Sequence, residues 1–175
     1  MAVYGGFDPG LSCGLAFIER EGQHLSVLAL EAVVTEPSDP LAARLKRIWM
    51  TLSHLLRTHR PLALCIEDQR QAQVAQAKRG EFTCDTSRVN QVVGLAKGCC
   101  LAYGIPVIEV SPARAKIALL GPRCGKAGKQ AVRERVSLMT GRSRVSEHAA
   151  DAVGLALAGE QEFRRAAFSR AREAS

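Results

Sequence analysis

Five apolar residues with no polar interruption, Leu62-Ala63-Leu64-Cys65-Ile66, run directly into Glu67. A strand that alternates polar and apolar residues covers one face of a sheet. An unbroken apolar run suits a strand buried on both faces, as in a parallel sheet sandwiched between helices. The segment before it supports that reading. Leu41, Leu45, Ile48, Leu52 and Leu55 recur at helical spacing. An amphipathic helix is expected from Asp39-Pro40, with Asp39 as N-cap and Pro40 at the first helical position, to about His59, where Arg60-Pro61 stops it. Upstream, Ala2 to Asp8 reads as a strand closed by Pro9-Gly10. Gly14 to Ile18 and Leu25 to Val34, separated by Glu21-Gly22, complete an antiparallel meander. A crossover through the helix then lets the buried run lie parallel to the first strand. Asp8 and Glu67 would thus end two strands at one sheet edge, where open sheets with such crossovers collect ligands.

The polar stretch Asp68 to Arg88, containing Lys78-Arg79, reads as an exposed loop. A helix is expected from about Ser87 to Tyr103, with Gly104 as its stop, then a short strand at Val107 to Val110. Ser111-Pro112 caps a helix to Leu120, a basic Gly-rich loop spans Gly121 to Gly128, and a helix covers about Gln130 to Thr140. The last clear helix runs from about Glu147 to Gly159, and the Arg- and Ala-rich tail extends it or frays. With 175 residues, and no repeat, linker or low-complexity tract, the chain is expected to form one domain. Six scattered cysteines without a Cys-x-x-Cys pair argue against a zinc knuckle or a disulfide scaffold; Cys99, Cys100 and most others read as buried thiols of a reducing compartment. No signal segment is recognisable and no apolar run approaches the roughly 18 residues of a membrane span, so a soluble cytoplasmic protein without membrane association is expected. Trp49, inside the first long helix, is expected to pack.

Four side chains carry a chemical pattern: Asp8, Glu67, and the late pair His148 and Asp151, three apart on one face of a helix. Taken singly they are weak signals. An Asp before Pro-Gly is most often a turn residue, and a lone helical His is usually a surface one. Glu67 is harder to dismiss, because a charge at the end of a wholly apolar strand needs a partner. Together, three carboxylates and an imidazole could hold two hard divalent cations about 3.5–4 Å apart, the arrangement that hydrolyses phosphodiesters. The charge balance, 24 Lys+Arg against 17 Asp+Glu, is compatible with a polyanionic partner or with mere solubilising charge. Its densest segment carries Arg114, Lys116, Arg123, Lys126, Lys129, Arg133 and Arg135 with Glu134 the only acid. Alone, that is as readily a solvated face; beside a two-metal site it would grip phosphates.

Phe7-Asp8-Pro9-Gly10 with Gly14 following, Ile66-Glu67-Asp68-Gln69, Gly94-Leu95-Ala96-Lys97-Gly98 and His148-Ala149-Ala150-Asp151-Ala152 together resemble the RuvC family of Holliday junction resolvases, from Val3 to about Ala158. The resemblance implies an α/β, RNase H-like fold: a mixed five-stranded sheet with helices on both faces in a single domain, here 1–160, followed by a basic tail, 161–175. It implies a metal-dependent endodeoxyribonuclease with two divalent cations per active site, Mg²⁺ or Mn²⁺. Paired symmetric nicks in a four-way DNA junction would leave 5′-phosphate and 3′-hydroxyl ends. The implied partners are junction DNA, a second copy of the chain and a branch-migration helicase complex. Asp8, Glu67 and Asp151 match the family's catalytic carboxylates, and His148 a position held by aspartate or histidine. Lys116 and Lys129 match two functional lysines, with Lys126 competing for the second place, and Arg114 stands in the same basic segment. Where the family often has a base-stacking aromatic, this chain has Arg70; Phe82, in the same expanded loop, is the alternative wedge. Two rival functions stay open: another RNase H-like nuclease, acting on an RNA–DNA hybrid or another branched substrate, and a non-catalytic junction-binding protein.

Overall fold

A computed structural model describes residues 1–69, 84–124 and 128–173. The meander forms as expected, with a longer second strand and a third shifted by one residue: β1 (Ala2–Asp8), β2 (Cys13–Glu21) and β3 (His24–Val33) pair antiparallel in that order. Helix α1 (Leu41–His59) then crosses over to β4 (Leu64–Glu67), which lies parallel to β1 with Gly6 opposite Cys65 and Phe7 opposite Ile66. Helix α2 (Cys84–Ala102) leads to β5 (Val107–Val110), parallel to β4. Three helices finish the chain: α3 (Pro112–Leu120), α4 (Lys129–Thr140) and α5 (Glu147–Glu173). The sheet order is β3-β2-β1-β4-β5, a mixed five-stranded sheet.

Alternation along the strands divides the core between the two faces. Phe7, Leu15, Phe17, Leu64 and Ile66 point to a layer built by Ile48, Leu52, Leu55 and Leu56 of α1 and Val92, Ala96, Cys99 and Cys100 of α2. Tyr4, Ala16 and Ile18 point the other way, against Leu119 of α3, Val132 and Val136 of α4, and the Ala-rich face of α5. The unbroken apolar run is therefore buried on both sides: Leu64 and Ile66 face α1 and α2, while Cys65 meets Leu155 and Ala158 of α5.

Two glycines bring α5 onto the sheet. A Cβ at Gly14 would lie 1.8 Å from the carbonyl oxygen of His148, and one at Gly6 would lie 2.0 Å from that of Ala152. No other residue leaves room for helix backbone at such a distance. Farther along, Arg20 of β2 forks onto the buried carboxylate of Glu160 at 2.9 and 2.8 Å, and Tyr4 meets Phe163 edge-on with ring centroids 5.8 Å apart.

Two local expectations are corrected. Pro40, not Asp39, occupies the N-cap position of α1, and no side chain caps that end. Asp39 instead closes a turn, its backbone N–H donating to the Glu36 carbonyl while its carboxylate faces Arg47 at 3.8 Å. Trp49 does not pack into the core; it is 49% exposed, because the apolar stripe of α1 runs through Ile48, Leu52 and Leu55 and leaves position 49 on its flank. Of the two alternatives for the tail after Gly159, extension is the one found: the helix passes position 160 without a break and continues to Glu173. By contrast, Ser111 caps α3 as anticipated, its hydroxyl accepting from the backbone N–H of Arg114. Cys13, Cys65, Cys99 and Cys100 are buried free thiols, and Cys124 is half-buried.

Candidate active site

The register of the sheet determines where the acids meet. Asp8 pairs with Gly14 across β1 and β2, and the backbone of His148 sits directly on Gly14. The first turn of α5 is thereby held over the end of β1. The imidazole Nδ1 of His148 lies 2.7 Å from Oδ2 of Asp8. Asp151, three residues along the same helix face, turns toward the same edge, where Glu67 ends the neighbouring parallel strand one step beyond the Phe7–Ile66 pair.

The acids feel one another strongly. Burial, then the charges of Asp8 and Asp151, push the Glu67 carboxyl up to about 7, against a hydrogen bond from Gln69. Burial, then Asp8 and Glu147, push Asp151 up to about 6, with Lys129 and His148 opposing. The hydrogen bond with Asp8 raises His148 above its ordinary value despite partial burial. Cys13, beside the site, is no nucleophile: burial and the charge of Asp8 drive its thiol up to about 12.

Among the described residues no three Asp, Glu, His or Cys side chains stand in a geometry that would enclose an ion. The four converge in charge, and His148 offsets part of the repulsion among the carboxylates by its hydrogen bond with Asp8. The donors are nonetheless hard oxygens with one imidazole, and two of the carboxyls are held above their ordinary range by burial and repulsion. That is a site short of positive charge, and it fits divalent cations.

A cleft of about 190 Å³ opens beside this cluster, lined by Glu67 and Asp151 together with Lys116 and Lys129. The structure thus brings both matched lysines to the acids, one from α3 and one from the first position of α4. Lys129 also forms an ion pair with Glu147, and the charges of Asp151 and Asp8 help hold its ammonium protonated. Arg114 does not line the cleft and is paired with Glu162 of α5 at 2.7 Å. Arg70, Phe82 and Lys126 lie outside the described residues.

Two contributors escaped the sequence reading. Glu147 immediately precedes His148 and engages Lys129, and its signal was an acid in the first turn of a helix. Gly6 carries no chemistry, but a glycine inside an otherwise apolar strand marks a close backbone approach.

The chain matches the family described as Crossover junction endodeoxyribonuclease RuvC over residues 5–159. A relative from Anaeromyxobacter dehalogenans with that same description is 33% identical over 158 residues, covering 87% of this chain and 77% of the relative. The solved structure of Thermus thermophilus RuvC aligns with a TM-score of 0.73 at 28% identity, covering 94% of this chain and 96% of that one. T. thermophilus RuvC has also been solved in complex with a Holliday junction substrate, and this chain aligns to it with a TM-score of 0.72 at 26% identity. These neighbours share the RNase H-like fold.

Proposed function

The chain belongs to the RuvC family of crossover junction endodeoxyribonucleases, and on that premise we propose that it resolves four-way DNA junctions by paired symmetric nicks. The observation that carries the reading is the meeting of two strand-end acids with a helix-borne His and Asp, at a point where the carboxyls are raised by burial and by one another. Enzymes of this family depend on divalent metal. We assign two cations to the site, Mg²⁺ or Mn²⁺, held by Asp8, Glu67 and Asp151 with His148 completing the set. Cations held there would supply Lewis acidity for activating a water and stabilising the leaving oxygen, and the ends expected are 5′-phosphate and 3′-hydroxyl.

The protein's own groups divide the remaining work. Asp8 and Glu67 stand on adjacent strands and provide a rigid base. His148 and Asp151 arrive on a separate helix, so docking of α5 completes the site. Lys116 and Lys129 supply positive charge in the same cleft, where a phosphodiester would lie. Unstacking of bases at the junction centre falls to Arg70 or Phe82, with Lys126 as a further phosphate contact in its loop. We extend the reading to a homodimer, a cytoplasmic setting and a branch-migration helicase complex as partner, with residues 1–160 forming the nuclease domain and 161–175 a basic extension.

The test is cleavage of a mobile four-way junction with nick positions mapped on all four strands, in Mg²⁺ and in Mn²⁺, beside an RNA–DNA hybrid of equal length. Opposed nicks at equivalent positions are expected, lost in Asp8→Asn. Because imidazole is a softer ligand than carboxylate, Mn²⁺ should support cleavage at least as well as Mg²⁺. Preferential cutting of the hybrid would reject the junction reading. Tight junction binding without any cleavage would make the protein a binding module.

A further inference from the structure

Outside the catalytic cleft, a groove of about 900 Å³ runs between α4 and the loop 141–145. Three arginines line it. Arg133 stands one turn beyond Lys129 on α4, and its guanidinium is steadied by the side-chain oxygen of Gln130 at 2.7 Å. Arg142 donates through one guanidinium nitrogen to the carbonyl of Leu30 at 2.9 Å, which anchors it against β3 while the rest of the fork faces the groove. Arg144 is exposed and has no partner among the described residues. Glu134 is the only acid in the lining, and it already accepts from Gln130 at 2.8 Å.

Three features decide what such a groove takes. The arginines are strung along an open channel and do not converge on a buried point, so the arrangement suits an extended polyanion better than a small anion. Leu138, 80% exposed, lies among them, giving an apolar strip beside the charges. The groove also takes up along the helix where the cleft leaves off: Lys129 lines the cleft, and Gln130 and Arg133, next to it and one turn further along α4, line the groove. A polyanion running out of the cleft past Lys129 would pass over Arg133 toward Arg142 and Arg144.

We propose that this groove is a second nucleic-acid contact, seating the phosphodiester backbone of the duplex arm that leads away from the cleavage point. The inference rests on the junction-cleaving reading above and adds to it a surface on which arm length, not junction shape, is felt. Arginine suits the task because its planar fork meets phosphate oxygens in pairs.

The experiment compares wild type with Arg142→Gln/Arg144→Gln and with Arg144→Gln alone, the latter retaining the Leu30 hydrogen bond should the double variant lose stability. Binding to four-way junctions with long and with truncated arms is followed by fluorescence anisotropy between 50 and 200 mM salt, without divalent metal. Wild type should lose affinity as the arms are shortened, and the double variant should be largely indifferent to arm length. Two lost phosphate contacts should make the salt dependence shallower by about 2 log units per log unit of salt. The advantage of wild type would then shrink about tenfold across that salt range. Single-turnover cleavage at saturating protein should be unchanged. Equal losses on long- and short-armed junctions, or an unaltered salt slope, would overturn the inference while leaving the resolvase reading intact. So would competition by polyglutamate at the groove without any dependence on arm length, which would make it a protein-docking surface. Wild type that cuts no junction at all would instead fail the proposed function itself.

Discussion

Glu67 bears the largest burden of any single residue in the site. In the unfolded chain its carboxyl titrates near 4.5; in the fold, burial and the charges of Asp8 and Asp151 raise it to about 7. The fold therefore favours the protonated acid. That contribution to stability is complete below about pH 4.5 and is lost as the pH rises through 7, so the metal-free protein should become less stable from mildly acidic to mildly alkaline buffer. Glu67→Gln keeps the shape of the protonated form and removes the charge. In metal-free buffer at pH 8 it should be more stable than wild type by about 1–2 kcal/mol, or about 2–6 °C in Tm, a gain that vanishes near pH 5. The same variant should cut junctions roughly 100-fold more slowly or worse, since it removes a carboxylate from the set that would hold the cations. Thermal melts at the two pH values, read beside cleavage rates, check both halves. A variant destabilised at pH 8 would mean that Glu67 is engaged in attraction and not repulsion.

At the scale of elements, the site depends on how α5 docks, and docking depends on two hydrogen-only side chains. A methyl group at Gly14 would meet the His148 carbonyl at 1.8 Å, and one at Gly6 the Ala152 carbonyl at 2.0 Å. Both obstacles are backbone, so neither can rotate away. Gly14→Ala should cost about 1–3 kcal/mol and lift the first turn of α5 from β2. Cleavage should then fall by more than the loss of folded protein explains, when assayed well below the lowered Tm. Full activity in a folded Gly14→Ala protein would show that His148 and Asp151 need no such support. These elements also mark how far the sequence could be read. The unbroken run before Glu67 and the helical spacing before it were enough to place two acids at one edge, because burial on two faces and a crossover leave few topologies open. The glycines were visible as letters, but which backbone they admit is a property of packing. The cap of α1 was misread because Asp39 had a second use, closing a turn with Glu36, and local propensity cannot weigh one use against the other. The pairing of Lys129 with Glu147, 18 residues later, depends on how α4 and α5 meet, which no local pattern encodes.

For the whole molecule, a single copy presents one cluster of Asp8, Glu67, His148 and Asp151, whereas paired nicks in opposed strands need two. A two-fold junction is matched most simply by a two-fold protein, each copy contributing one site. The layer formed by α1 and α2, on the face of the sheet away from α5, keeps Trp49, Met50 and Leu101 exposed at 49%, 54% and 83%, apolar surface open to the second copy proposed above. The proposed division into one cut per copy is open to a direct check with mixed dimers, in which a tagged Asp8→Asn chain is co-expressed with wild type and the mixed species is isolated. On a supercoiled plasmid that extrudes a cruciform, wild-type dimers should linearise the circle, because both strands are cut within the lifetime of one complex. Mixed dimers should stop at the nicked circle, since the charge lost at one Asp8 cannot be replaced from the other site. Linear product from mixed dimers at the wild-type ratio would mean that one copy serves both strands in turn, and the two-site account would have to be abandoned.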